Sequence, residues 1–283
     1  MNDYFKYKNK ICLVFSYNSP IGKKLVEKLN EANAKVYDIN DINLCDKQSI
    51  DKSFSNLPDK IDSVFFMQDI NRSNLYYDVF TTLFISTKYI TDTYLKQRMY
   101  SNSSILFLSS LEANNYIYYK KEYMKFINSE SWNEMINHLE KQAKKDTIGM
   151  MAYTLAKRAI NYYTKEISSI LNNRGIKVNS ISPIPEYTNV EELVNIALFL
   201  NSTITPSISG ENIKTDNSYT AQVITNKRKD DYMLPAGLKI YNRKSYQNKF
   251  KKILDQKATL DDINIITKEE FIKKNTNEDE EII

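Results

Sequence analysis

Three side chains in the chain could share one proton-transfer site: the phenol of Tyr153, the amine of Lys157 and the hydroxyl of Ser110. Residues four apart on a helix lie on one face, so a helix beginning near Met150 brings Tyr153 and Lys157 to a single site. A cation beside a phenol favours the phenolate and draws its pKa toward the range useful for proton transfer near neutrality. Ser110 follows the apolar run Ser104 to Leu108. The mouth beyond the carboxyl end of a central strand is where open α/β sheets hold their ligands. Histidine chemistry is not available. His138 is the only histidine, so neither a His-based metal site nor a Ser-His-Asp triad can be assembled. No metal is expected.

The elements that would position these groups can be read from the hydrophobic pattern. Ile11 to Phe15 is a continuous apolar run, as in a parallel strand covered on both faces. Ser19 can cap and Pro20 can begin the helix that follows, with Ile21, Leu25, Val26 and Leu29 at helical spacing. Further strands are expected at Lys35 to Tyr37, Ile42 to Cys45, Ser63 to Met67, Ser104 to Leu108, Ile176 to Ile181 and Ile213 to Thr215. Helices are expected around Ser49 to Phe54, over Ser73 to Leu95, from Met150 to about Asn172, and over Val190 to Leu200. Gly175 is a suitable C-terminal stop for the third of these. Strands alternating with helices imply a doubly wound parallel α/β sheet. Residues 111–150 read as a helical insertion within a core of residues 1–220. Residues 221–283 read as a C-terminal extension, with a turn at Pro235 to Gly237 and a capping box at Thr267 to Glu270.

Composition narrows the partners. A net charge of +4, from 39 basic and 35 acidic residues, is too balanced to indicate nucleic acid or a membrane surface. The basic clusters at Lys227 to Lys229 and Lys249 to Lys252 are interspersed with acids and read as solvated faces. Cys12 and Cys45, in apolar settings, argue against a disulfide framework and for a reducing compartment. No apolar run approaches the ~18 residues of a membrane span, and no signal-peptide core is seen at the N-terminus. The expected location is cytoplasmic.

In this order the landmarks resemble the short-chain dehydrogenase/reductase family over roughly residues 8–220. The resemblance rests on the turn before Gly22, Asp46 after the third expected strand, Ser110 after the fifth, Tyr153-Thr154-Leu155-Ala156-Lys157, and Gly175 to Pro183. It also rests on Glu191 to Ser202 followed by Ile208 to Asp216 and Tyr219. It implies an NAD(P)-dependent oxidoreductase interconverting a carbonyl and an alcohol on a small metabolite. Tyr153 would be the general acid/base, Ser110 would bond the substrate oxygen, and Lys157 would lower the Tyr153 pKa and hold the nicotinamide ribose. The resemblance further implies a homodimer or homotetramer, with the helix at 150–172 as the candidate interface. A similar long insertion between the serine and the tyrosine occurs in the bacterial 3α-hydroxysteroid dehydrogenase/carbonyl reductase branch, where it shapes the substrate side.

The chain departs from the family at several cofactor positions. Its glycine-rich turn reads Phe15-Ser16-Tyr17-Asn18-Ser19-Pro20-Ile21-Gly22, keeping only the last glycine. Pro20 has a bulky ring and no N–H to offer a phosphate. The helix N-terminus remains, so the amides of Ile21 and Gly22, with the hydroxyls of Ser16 and Ser19, are expected to hold the diphosphate at reduced affinity. Phe66-Met67-Gln68-Asp69 replaces the Asn-Asn-Ala-Gly after the fourth strand, and Val79 stands where the family has its relay asparagine. Pro183-Ile184, with Pro185 next, replaces a Pro-Gly. The ribose ligand is one of Asp38, Asn40 or Asp41, the lack of a nearby Arg or Lys favours NAD over NADP, and Asp46 matches the adenine-contacting residue. The alternative reading is a catalytically degenerate relative acting as a binding or assembly subunit.

Overall fold

The computed structural model describes residues 4–16, 19–72, 74–144, 149–184 and 189–228. Two compact units divide the chain after Met233, and every described residue belongs to the first. The features expected at Pro185, Pro235 to Gly237, Lys249 to Lys252 and Thr267 to Glu270 lie outside the described residues.

The described strands are β1 (Ile11–Phe15), β2 (Lys35–Asp38), β3 (Ile61–Phe66), β4 (Met99–Leu108), β5 (Lys177–Pro183) and β6 (Asn212–Thr215). They form one sheet in the order β2-β1-β3-β4-β5-β6, and every pairing is parallel. The direction of winding reverses between β1 and β3, which opens a crevice at the carboxyl ends of those strands. The strands are apolar on both faces because both are covered. Leu13, Phe15, Val64, Phe66, Ile105 and Phe107 enter one core, while Cys12, Val14, Phe65, Leu106 and Leu108 alternate into the other. Within the first core Phe15 stacks on Phe66 with centroids 4.6 Å apart, and Phe66 meets Phe107 at 5.3 Å.

Helix α1 (Pro20–Glu31) and helix α9 (Val190–Asn201) cover the second core, through Leu25 and Leu29 on one and Leu193, Val194, Ala197 and Leu198 on the other. Their starts are set by side chains: Ser19 accepts the Gly22 amide and Asn189 accepts the Glu192 amide at 2.7 Å. The end of α9 is held by buried Lys177. Its Nζ donates to the carbonyls of Leu200 at 3.1 Å, Ser202 at 2.6 Å and Thr205 at 2.8 Å, satisfying groups that a helix terminus leaves orphaned.

The first core is covered by α2 (Lys47–Phe54), by the helical run from α3 (Tyr76–Phe80) through α4 (Ser86–Ile90) to α5 (Lys96–Arg98), and by α8 (Gly149–Leu171). The segment after Ser110 is helical. Two 3-10 turns, Leu111–Ala113 and Tyr116–Tyr119, lead into α6 (Lys120–Ile127) and α7 (Trp132–Ala143). Tyr123, Phe126, Trp132, Met135 and Leu139 of this segment enter the same core as α8. Much of the helix expected as a subunit interface is thus packed within its own chain. Gly175 ends the segment after α8 with φ +69°, the left-handed conformation a glycine stop supplies. Helix α10 (Tyr219–Ile224) spans the expected boundary at 220.

Two local expectations fail. The strand over Ile42 to Cys45 does not form. Asn43 Oδ1 accepts the Cys45 amide at 3.0 Å and Ser49 Oγ accepts the Asn43 amide at 3.1 Å, so side chains take the amides a ladder would need. Ile42 and Leu44 still reach the core, but from a loop, and β2 is left at the edge. The helix expected from Ser73 begins at Tyr76 and contains two π-helical turns, Thr81–Ile85 and Thr91–Leu95. Ser86 Oγ donates to the Thr82 carbonyl at 2.8 Å and Thr91 Oγ1 to the Thr87 carbonyl at 2.8 Å, the back-bonding that bends helices.

Candidate functional site

Helix α8 runs beside the carboxyl end of β4, and the two elements are tied by Ser109 Oγ, which donates to the Lys157 carbonyl at 3.2 Å. Lys157 points back toward the strand. Its Nζ donates to the Leu108 carbonyl at 2.7 Å and lies 5.2 Å from the centre of the Tyr153 ring, one helical turn away. Ser110 follows at the strand end, its Oγ accepting the Glu112 amide at 3.3 Å. The structure therefore brings Tyr153 and Lys157 together at the carboxyl end of β4, the strand that Ser110 follows. All three are buried.

Burial sets the electrostatics. It lowers Lys157 to about 8 against the opposing charge of Asp69, with Arg72 adding to the depression. It also raises the Tyr153 phenol well above its ordinary value. The Arg72 guanidinium pulls the phenol down, and the Asp69 and Glu112 carboxylates push it up. The departure from Gly to Asp at position 69 thus places a carboxylate in the field of both Tyr153 and Lys157.

Arg72 and Glu112 belong to the site, although no spacing in the sequence marks them. Arg72 lies 3.9 Å over the Tyr153 ring and forms an ion pair with Glu112, which also accepts from Thr154 Oγ1 at 3.2 Å. The backbone of Arg72 is held by close packing. A Cβ on Gly149 would come within 2.7 Å of the Arg72 carbonyl oxygen and 2.2 Å of that of Asn74, so only glycine lets α8 start against this turn. Val79, standing for the family's asparagine, is fully buried and packs against the same glycine.

On the other side of the crevice, Gly22 allows α1 to cross β1 closely: a Cβ there would lie 2.6 Å from Ser16 Cα. Asp38 ends β2 and its exposed carboxylate accepts from Ser16 Oγ and, at 3.1 Å, from Asn40 Nδ2. Of the three ribose candidates, Asp38 is the one at the strand terminus. The Gly22 amide donates to Ser19 Oγ at 3.1 Å, which takes that amide from a diphosphate and leaves the Ser19 hydroxyl its own proton to donate. Asp46 caps α2 by accepting the Gln48 amide at 2.9 Å. Gln68, after β3, donates to Thr87 Oγ1 at 2.8 Å, while its buried Oε1 has no hydrogen-bond partner. An exposed carboxylate at the end of β2, a close strand-helix crossing and an orphaned acceptor after β3 fit the adenosine end of a dinucleotide. Donors for its diphosphate are fewer than the sequence suggested.

No protein-family model matches the chain, and no curated protein matches it in sequence. Solved structures do match in three dimensions. The 3-alpha-hydroxysteroid dehydrogenase from Pseudomonas sp. B-0831, complexed with NADH, is 16% identical with a TM-score of 0.60, over 78% of this chain and 99% of that one. The Pseudomonas aeruginosa RhlG/NADP active-site complex is 16% identical at 0.55, over 77% and 99%. A dehydrogenase/reductase from Sinorhizobium meliloti 1021 is 14% identical at 0.54, over 76% and 96%. The chain has the Rossmann-type fold of the short-chain dehydrogenases/reductases.

Proposed function

We propose that the protein is an NAD(P)-dependent oxidoreductase that interconverts a carbonyl and an alcohol on a small metabolite, with Tyr153 as general acid/base. The observation that carries this reading is the Lys157 ammonium 5.2 Å from the Tyr153 ring, at the end of β4 beside Ser110. A bound nicotinamide supplies the hydride to the carbonyl carbon, or accepts it in the reverse direction. Tyr153 gives its phenolic proton to the oxygen in reduction and takes it back in oxidation. Ser110 donates to that oxygen, and Lys157 steadies the phenolate and holds the ribose. Asp38, Gly22, Ser16, Ser19, Ile21 and Asp46 line the dinucleotide side. Two of the similar structures are complexes with NADP and NADH, which supports a nicotinamide cofactor, and Asp38 favours NAD. The same reading has the protein working as a cytoplasmic homodimer or homotetramer, which a monomeric mass in solution would exclude.

Tyr153→Phe is expected to abolish turnover and leave cofactor affinity nearly unchanged. An undiminished rate in that variant removes Tyr153 from the mechanism.

Two observations favour a second reading, a degenerate relative that binds without turning over: Arg72 covers the Tyr153 ring, and Pro20 removes a phosphate donor. Calorimetric titration with NAD and NADP separates the two. Micromolar binding of either supports the oxidoreductase, and no binding at millimolar cofactor supports the degenerate reading.

A further inference from the structure

We propose that the Arg72–Glu112 pair is a carboxylate-exchange latch: Glu112 holds the place that the carboxylate of an oxo acid or hydroxy acid substrate takes over Tyr153. The inference rests on the oxidoreductase reading and names its substrate class.

The phenol is nearly closed to solvent, Tyr153 being 6% exposed, and the group lying over its ring is the Arg72 guanidinium. A carbonyl that is to reach both Tyr153 and Ser110 must open this cover. The two partners are unequally anchored. The backbone of Arg72 packs against Gly149, where there is no room even for a methyl group. Glu112 sits in the short 3-10 turn Leu111–Ala113 and is held to Arg72 and Thr154 by side-chain contacts. Glu112 is therefore the partner that moves. Its backbone amide donates to Ser110 Oγ, which leaves that hydroxyl's own proton to donate to the substrate oxygen.

Charge decides what enters. In the closed site two cations, Arg72 and Lys157, stand with two carboxylates, Glu112 and Asp69. Withdrawal of Glu112 leaves one guanidinium uncompensated beside the phenol. A neutral ketone would leave it so, whereas a carboxylate restores the pair through the bidentate geometry that guanidinium favours.

The test uses the full chain without cofactor, with 4-oxopentanoate and its neutral amide as probes. Binding is read from the Arg72 Nε–H cross-peak in 15N NMR, assigned by its loss in Arg72→Lys. In Glu112→Gln the oxo acid should bind about tenfold or more tighter than in the wild type, the order of one charge-assisted contact. The amide should gain nothing, and Glu112→Gln/Arg72→Gln, read from the backbone amides of Glu112 neighbours, should lose the gain. Equal affinities for acid and amide in Glu112→Gln, or a gain that survives loss of Arg72, would overturn the latch. Because neither cofactor nor turnover enters the measurement, failure of the oxidoreductase reading shows separately, as no binding of NAD or NADP at millimolar concentration in the calorimetric titration.

Discussion

Lys157 is bonded to the backbone of Leu108: its ammonium donates to that carbonyl at 2.7 Å from a side chain that is 1% exposed. One hydrogen bond does not replace the water an ammonium loses, and burial brings Lys157 down to about 8. The unfolded chain keeps an ordinary lysine near ~10.4 and so binds more protons between these two values. Stability contributed by this group is therefore lowest below pH 8 and rises as pH climbs from about 8 toward ~10.4. The unfolding free energy of the wild type relative to Lys157→Met should rise by up to about 1.4 kcal/mol per pH unit in that window. Urea titrations of both proteins from pH 7.5 to 10 would check it, and parallel curves would refute it. Buried Tyr7 and Tyr163, whose phenols burial raises, act equally in both proteins and cancel in the difference.

Gly149→Ala should be among the more damaging single-methyl additions in the chain. The added carbon meets two backbone carbonyl oxygens, of Asn74 and Arg72, and neither can rotate away as a side-chain tip would. Overpacking of this kind costs about 1–3 kcal/mol. The strain would also lift the turn that seats Arg72 over Tyr153. Chemical denaturation should show the lost stability, and an unchanged midpoint would mean that the contact relaxes freely.

The sheet was legible from the sequence because its strands are covered on both faces, so Ile11 to Phe15 and Ser104 to Leu108 read as unbroken apolar runs. Ile42 and Leu44 misled for a related reason: alternation marks burial, and these residues are buried, but Asn43 and Ser49 satisfy the backbone locally. The π-helical turns in the segment from Tyr76 left no mark in the pattern because residues 81–91 are buried all round, so no polar face shows the slip of an i→i+5 turn. At the site, Tyr153 and Lys157 were legible because helical spacing joins them. Arg72 and Glu112 were not, since they lie 40 positions apart on irregular segments that only the packing of β3, β4 and α8 brings together.

Asp92 gives the fold an acid dependence. Burial alone would raise this carboxyl, but Lys88, and then Lys96 at 2.7 Å, hold it below the ordinary value, and Tyr163 donates to it at 2.8 Å. A carboxyl depressed in the folded state contributes stability above its unfolded pKa of ~3.9, lost as pH falls through the folded value. Asp92→Asn should therefore be less stable at pH 7, by about 2 kcal/mol for a partly buried pair. Its stability should also fall less steeply than that of the wild type below pH 4. Identical acid limbs in thermal melts would remove Asp92 as the cause.

Asp38 should decide between the two nicotinamide cofactors. Its carboxylate is exposed at the end of β2 and positioned by Ser16 and Asn40, so it can accept from a ribose hydroxyl without moving. A 2′-phosphate at the same place would set like charges in contact, a repulsion of about 1 kcal/mol or more at ~4 Å even under solvent screening. The wild type should then prefer NAD to NADP by about tenfold, and the preference should shrink as salt is added. Asp38→Ser removes the charge and keeps a hydroxyl, so it should bring the two affinities together mainly by tightening NADP. Calorimetry on both proteins at low and high salt reads each term, and a wild type that favours NADP, or a variant with an unchanged ratio, would take the selectivity away from Asp38.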